Sequence, residues 1–172
     1  MESGLLNNAF DFIAQRENLA LYLSKGNTSA YQDGNLPNGQ NRYSIGFGNL
    51  ATNPIETITY LEAKKRCEDY IIDENSWFST NWSNYNTLND NQKVALLSYN
   101  YQWGNGNRVF RDRITSGLPI NKEWALTLLY SSRRVLEVEK YNLDIQKIDT
   151  IAQYFGITIL LIIVVVYKII KG

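Results

Sequence analysis

The sequence predicts an α+β fold: a small antiparallel β-hairpin lobe, a larger helical lobe, and one transmembrane helix at the C-terminus. Three observations carry that prediction. Residues 5–23 and several later stretches repeat apolar side chains at helical spacing. Residues 30–49, AYQDGNLPNGQNRYSIGFGN, are two aromatic-containing runs around a middle of Gly, Asn and Pro. Residues 151–170, IAQYFGITILLIIVVVYKII, are nearly all apolar.

The first helix reads LLNNAFDFIAQRENLALYL, with apolar positions at Leu6, Phe10, Ile13, Ala14 and Leu21. Glu17 follows Ile13 by four residues and Phe10 by seven, so it projects from the apolar face. The pattern stops after Gly26, and the hairpin follows, with Asn35, Pro37, Asn38 and Gly39 as turn formers. Its only carboxylate, Asp33, stands just before the bend. Thr59-x-x-Glu62 forms a capping box that starts a helix to about Ile72. In TLND, Thr87, Asn89 or Asp90 can cap a helix with Val94, Leu97 and Tyr101 on one face, which Gly104 and Gly106 stop. Asn121 can cap KEWALTLLY, and RRVLEVEKYN reads as one more helix. Residues 1–143 thus make one folded domain, and 144–150 link it to the apolar tail.

Twenty helical residues, 151–170, extend about 30 Å, the thickness of a hydrocarbon core. Lys168 and Lys171 can reach a headgroup layer, and Tyr154 and Tyr167 stand where interfacial aromatics belong. The tail therefore predicts a single-pass, membrane-anchored protein that meets a lipid membrane through residues 151–170.

Composition narrows the chemistry. Lys+Arg and Asp+Glu balance at 17 each, with the basic residues scattered among acids, so nucleic acid is not an expected partner. The chain has no histidine, which excludes Ser-His and Cys-His nucleophile pairs and His-containing zinc sites. Cys67 is the single cysteine and lies at helical spacing with Tyr60 and Ile71, as a small core residue would. No cofactor or metal is expected, and carboxylate chemistry is what remains.

A carboxyl on an apolar helical face keeps a proton more readily than one in water, which suits Glu17 as a proton donor. Asp33, on a polar strand beside a turn, is placed to act as a carboxylate. Two carboxyls in such unlike settings are what glycoside hydrolysis uses: one protonates the leaving oxygen, the other activates water or attacks the anomeric carbon. Each residue also has a plainer reading. Glu17 can be a surface acid paired with Arg16 or a more distant base, and Asp33 can cap its own hairpin.

The same residues carry a resemblance. The chain resembles the phage-type lysozymes, the endolysin muramidase family, whose motif is a helix-borne Glu, an aromatic-x-Asp strand and a return strand Thr-Ile-Gly-aromatic-Gly-His. The corresponding residues are Glu17, Tyr31-Gln32-Asp33 and Tyr43-Ser44-Ile45-Gly46-Phe47-Gly48-Asn49. LNDNQKVALLSYNYQWGNGNRVF, residues 88–110, is similar to the family's Leu-x-x-Asn-Gln helix, and RRVLEVEKY, residues 133–141, to its arginine-rich late helix. Ser stands where the family has Thr, Asn where it has His, and both the Glu-to-Asp and Asp-to-Ser intervals are longer than the family's.

The resemblance implies a lysozyme-like fold and a catalytic domain over 1–143. Its implied substrate is peptidoglycan, cut at the β-1,4 bond between N-acetylmuramic acid and N-acetylglucosamine. Glu17 would be the general acid, Asp33 and Ser44 would hold and activate the attacking water, and Gln102 and Asn49 would meet the sugar. Together with the apolar tail it implies an enzyme in the membrane of a bacteriophage virion, or in the host inner membrane, beside other virion proteins and opening the wall during infection. Two alternatives stay open: a lytic transglycosylase of the same fold, and a catalytically degenerate glycan-binding or structural virion protein.

Overall fold

A computed structural model describes residues 1–35, 39–104, 108–128, 130 and 132–144. The order is α1 (Ser3–Glu17), α2 (Leu19–Ser24), β1 (Thr28–Ser29), β2 (Tyr31–Asn35), β3 (Asn41–Ile45), β4 (Asn49–Leu50), β5 (Thr57–Ile58), α3 (Tyr60–Asn81), a 3₁₀ turn (Ser83–Thr87), α4 (Asp90–Trp103), α5 (Val109–Thr115) and α6 (Lys122–Leu126). A last helix, α7, covers 132–144.

The expected single helix over 5–23 is two. Asn18 leaves helical geometry (φ −154°, ψ 81°), its Oδ1 accepts the Leu21 amide at 3.0 Å, and its Nδ2 donates to the Gly46 carbonyl at 3.1 Å. One side chain therefore ends α1, caps α2 and ties both to the sheet lobe, which leaves Glu17 as the last residue of α1.

β2, β3 and β4 form an antiparallel sheet in that order, while β1 and β5 pair separately. The hairpin register runs Tyr31↔Ser44 and Gln32↔Tyr43, then shifts before Asn35↔Asn41. A bulge of this kind inserts backbone on one strand and re-aims the side chain beside it, here Asp33. After β3 the chain turns through Gly46, at φ +66°, where an added Cβ would lie 2.9 Å from the Ala63 side chain of α3. That close approach lets Phe47, fully buried, pack edge-on against Phe10 of α1 and Tyr60 of α3 at ring separations of 5.4 and 6.0 Å. Burying such a ring contributes about 2–3 kcal/mol and fixes the sheet lobe on the helical lobe.

Thr59 caps α3 through the Glu62 amide at 3.2 Å, and α3 runs on to Asn81, well past the expected end. Its buried face continues through Ile71, Glu74 and Phe78, and the acid Glu74 interrupts the apolar pattern that sequence periodicity follows. Asn89, with Gln92, makes a full capping box on α4. Every residue of α4 from Val94 to Asn100 is buried, so this helix is the spine of the core. α6 stops at Leu126, shorter than expected, and α5, seated by Phe110, has no counterpart in the sequence prediction.

The transmembrane part of the predicted fold is corrected. Among the described residues no helix is long and apolar enough to cross a membrane. α3 has the length, 22 residues, but carries Glu62, Lys64, Lys65, Arg66, Glu68 and Asp69. The segment 151–170 expected to span the bilayer, with most of the 144–150 linker, lies outside the described residues. A single-pass anchor, and the virion or inner-membrane location that rested on it, is therefore unsupported.

Candidate active site

Glu17 closes α1 at the helix's C-terminal end, where backbone carbonyls make a negative charge unfavourable. A guanidinium offsets it: Arg133 of α7 donates from Nη1 to Glu17 Oε1. This is a distant base, whereas the adjacent Arg16 turns away, donating to the Phe12 carbonyl and stacking over the Phe12 ring. Arg133 also donates from Nη2 to the Ser98 carbonyl (3.1 Å) and from Nε to Glu137 Oε1 (3.2 Å). The second oxygen of Glu17, Oε2, faces Gly48. A Cβ there would lie 3.3 Å from it, and Gly48 has φ +91°, so glycine alone keeps the strand backbone this close without strain.

Behind Glu17 lies a buried ionic network. Glu137, with no exposed surface, accepts the Ser98 hydroxyl at 2.7 Å and pairs with Arg133 and Arg134. Arg134 Nη1 comes within 2.7 Å of Glu137 Oε2, yet the pair lacks hydrogen-bonding alignment, so the attraction there is ionic rather than directional. Burial pushes the Glu137 carboxyl up, against the pull of both guanidiniums. Burial likewise lowers the Arg134 guanidinium, while Glu137 pulls it back up. Arg134 Nη2 then donates to Gln102 Oε1 at 2.6 Å, which fixes the amide of Gln102 with its nitrogen on the opposite side.

On the facing wall, Asp33 is exposed and Ser44 is fully buried. Ser44 Oγ donates to Asp33 Oδ2 at 2.8 Å. The two sit diagonally on one face of the hairpin, because Ser44 is paired with Tyr31 and Asp33 lies two residues on. Buried as it is, Ser44 acts on the carboxylate of Asp33 and not on solvent, which makes it a positioning residue.

The two walls enclose a cleft of about 300 Å³ lined by Glu17, Tyr31, Asp33, Arg42, Gly48, Tyr101, Gln102, Trp103 and Tyr130. Three of the five residues singled out from sequence, Glu17, Asp33 and Gln102, line it directly. Tyr31 registers both acids electrically: its phenol is raised first by burial, then by the charges of Asp33 and Glu17. Asn49 sits one residue past the rim, its Oδ1 3.4 Å from the Tyr101 hydroxyl and its Nδ2 3.5 Å from the Arg66 carbonyl, bridging α4 and α3. Tyr101 donates to the Phe47 carbonyl at 2.9 Å, and burial raises its phenol strongly. Beneath it Cys67 is a core residue with no exposed surface, and that burial pushes its thiol up to about 12.

Sequence reasoning missed Arg42, Trp103 and Tyr130. Trp103 and Tyr130 put two aromatic rings 5.8 Å apart at the cleft's helical end, giving it an apolar surface. Trp103 had a local signal, as the aromatic next to Gln102 before the helix-ending Gly104. Tyr130 did not, since its place depends on the start of α7.

Chemically, the cleft holds one carboxyl anchored through a single oxygen and one carboxyl steadied by a hydroxyl, on opposite walls of a polar groove. No family model, no curated protein and no solved structure matches this chain.

Proposed function

We propose that the protein is a peptidoglycan muramidase that hydrolyses the β-1,4 bond between N-acetylmuramic acid and N-acetylglucosamine. The observation that supports this most is the shared cleft: Glu17 from the end of α1 and the Ser44-steadied Asp33 from the hairpin line one groove beside an aromatic pair. Glu17 is the general acid. With Oε1 occupied by Arg133, Oε2 is the oxygen that carries the proton to the glycosidic oxygen. Asp33 is the general base. Ser44 occupies Oδ2, so Oδ1 is left to take a proton from a water that attacks the anomeric carbon from the far side, inverting it. The amide nitrogen of Gln102 is turned by Arg134 to donate to a sugar oxygen or an N-acetyl carbonyl.

The test uses the full chain and Glu17→Gln on purified peptidoglycan, read by turbidity and zymography. Glu17→Gln is expected to lose about 10²–10⁴-fold in rate. Equal activity, or equal inactivity on several peptidoglycan types, overturns the reading. Product analysis separates the two chemistries. Incorporation of solvent ¹⁸O at a reducing muramic acid end is the expected result, and a 1,6-anhydro end would instead mean transglycosylation.

A further inference from the structure

The cleft does not end at the two acids. Arg42, Gly48, Tyr101, Gln102 and Trp103 also line a second lobe of about 410 Å³, which continues past Asn49 to Leu50, Tyr70 and Gly104. The two lobes differ in charge. Among the described residues, the first contains two carboxylates and the second contains none, while Arg42, at their junction, is the only cation lining either. Arg42 is exposed on β3, two residues before Ser44 and on the same face of the strand. Among the described residues no carboxylate is ion-paired with it, whereas Arg133 and Arg134 are both committed to acids. Its field reaches the cleft, since its charge pulls the Tyr31 phenol down against burial and the two acids. The half-buried Tyr70 and exposed Leu50 give the second lobe an apolar flank.

We propose that the second lobe is a binding site for the anionic branch of the glycan, with Arg42 receiving a carboxylate at the point where the branch leaves the sugar backbone. The inference rests on the muramidase reading for the identity of the backbone, and on the charge division for the branch. A neutral sugar tolerates the first lobe's two acids, but an anionic substituent is repelled there and attracted beside Arg42. A guanidinium also matches a carboxylate in two-pronged geometry, which a lysine would not. On peptidoglycan such a carboxylate has two sources: the lactyl group of an unsubstituted muramic residue, or the peptide attached to it.

The experiment measures binding rather than turnover, in a Glu17→Gln background so that no glycan is cut. Three soluble ligands are titrated: a neutral chitooligosaccharide, a peptide-free glycan of alternating N-acetylglucosamine and N-acetylmuramic acid, and the same glycan carrying its peptides. Arg42→Ala is expected to cut the preference for the anionic glycans over chitooligosaccharide by about 10–100-fold, and Arg42→Glu to invert it. The preference should also weaken as salt rises. Loss confined to the peptide-bearing glycan assigns the peptide as the source, loss confined to the peptide-free glycan assigns the lactyl carboxylate, and loss on both means that Arg42 receives either. An unchanged preference in Arg42→Ala and Arg42→Glu overturns the inference. If the anionic preference is present and Arg42-dependent while the wild-type chain cuts none of the three, the branch site stands and the enzymatic reading falls.

Discussion

Glu17 and Asp33 face the same cleft from supports of opposite kind. Glu17 ends a helix packed on the core and is held through Arg133 to a buried network of Ser98, Glu137 and Arg134. Asp33 stands on an exposed strand next to a bulge, steadied by one hydroxyl. The wall of Glu17 is over-determined and rigid, and the loss of any member costs the fold dearly. The wall of Asp33 is lightly held, so its position can be altered with little effect on folding. Two carboxyls of one cleft therefore carry very different structural cost.

The largest expected effect lies on the rigid wall. Glu137→Ala leaves the buried Arg134 without an acid partner and Arg133 with Glu17 alone, and the expected loss of stability is about 3–5 kcal/mol, read by urea unfolding. A loss below about 1 kcal/mol would mean that water reaches the network, and the contrast between the walls would fail.

A middle-sized effect belongs to the lightly held wall. Ser44→Ala removes the donor to Asp33 and is expected to cost about 1 kcal/mol in stability, while kcat falls about tenfold at unchanged KM. A double-mutant cycle isolates the positioning role: in an Asp33→Asn background the same substitution should cost little further activity. A full additional loss would assign Ser44 a role of its own in the reaction.

The contrast also explains what could be read from the sequence. Features carried by neighbours in the chain were legible: the caps at Thr59, Asn89 and Asn121, the hairpin, and the apolar face that carries Glu17. Features carried by distant partners were not. The break at Asn18 is fixed by the Gly46 carbonyl, 28 residues away, and the base opposite Glu17 is 116 residues away. The expected end of α3 falls short because a buried acid, Glu74, interrupts the apolar face, and α5 is too short to show periodicity around Phe110. For the site, residue type and order brought out the two acids. The electrical character of the cleft depends on Arg42, whose position between two lobes exists only once the sheet is set against α4.

The smallest effect tests how loosely the sheet lobe is tied to the helices. The half-buried Glu56 accepts the Thr52 amide and hydroxyl on Oε2 and Arg66 Nη2 on Oε1 at 2.8 Å, pinning the loop between β4 and β5 onto α3. The Thr52 amide first, then Arg66, holds its carboxyl below the ordinary 4.5. A carboxyl depressed in the folded state binds fewer protons than in the unfolded chain. Its stabilisation is therefore complete above the unfolded value and disappears as pH falls through the folded one. Glu56→Gln is thus expected to speed amide exchange at Ala30, whose N–H donates to the Glu56 carbonyl where β1 meets β5, at neutral pH. The difference from wild type should narrow as the pH drops below 4.5 and close once Glu56 is protonated in the folded protein. Exchange at Val94 to Leu97, in the buried spine of α4, should stay unchanged throughout, because the lobe can loosen locally without opening the core. A shift at both places would mean that the sheet and helices unfold together, and that the lightly held wall of the cleft shares the rigidity of the other.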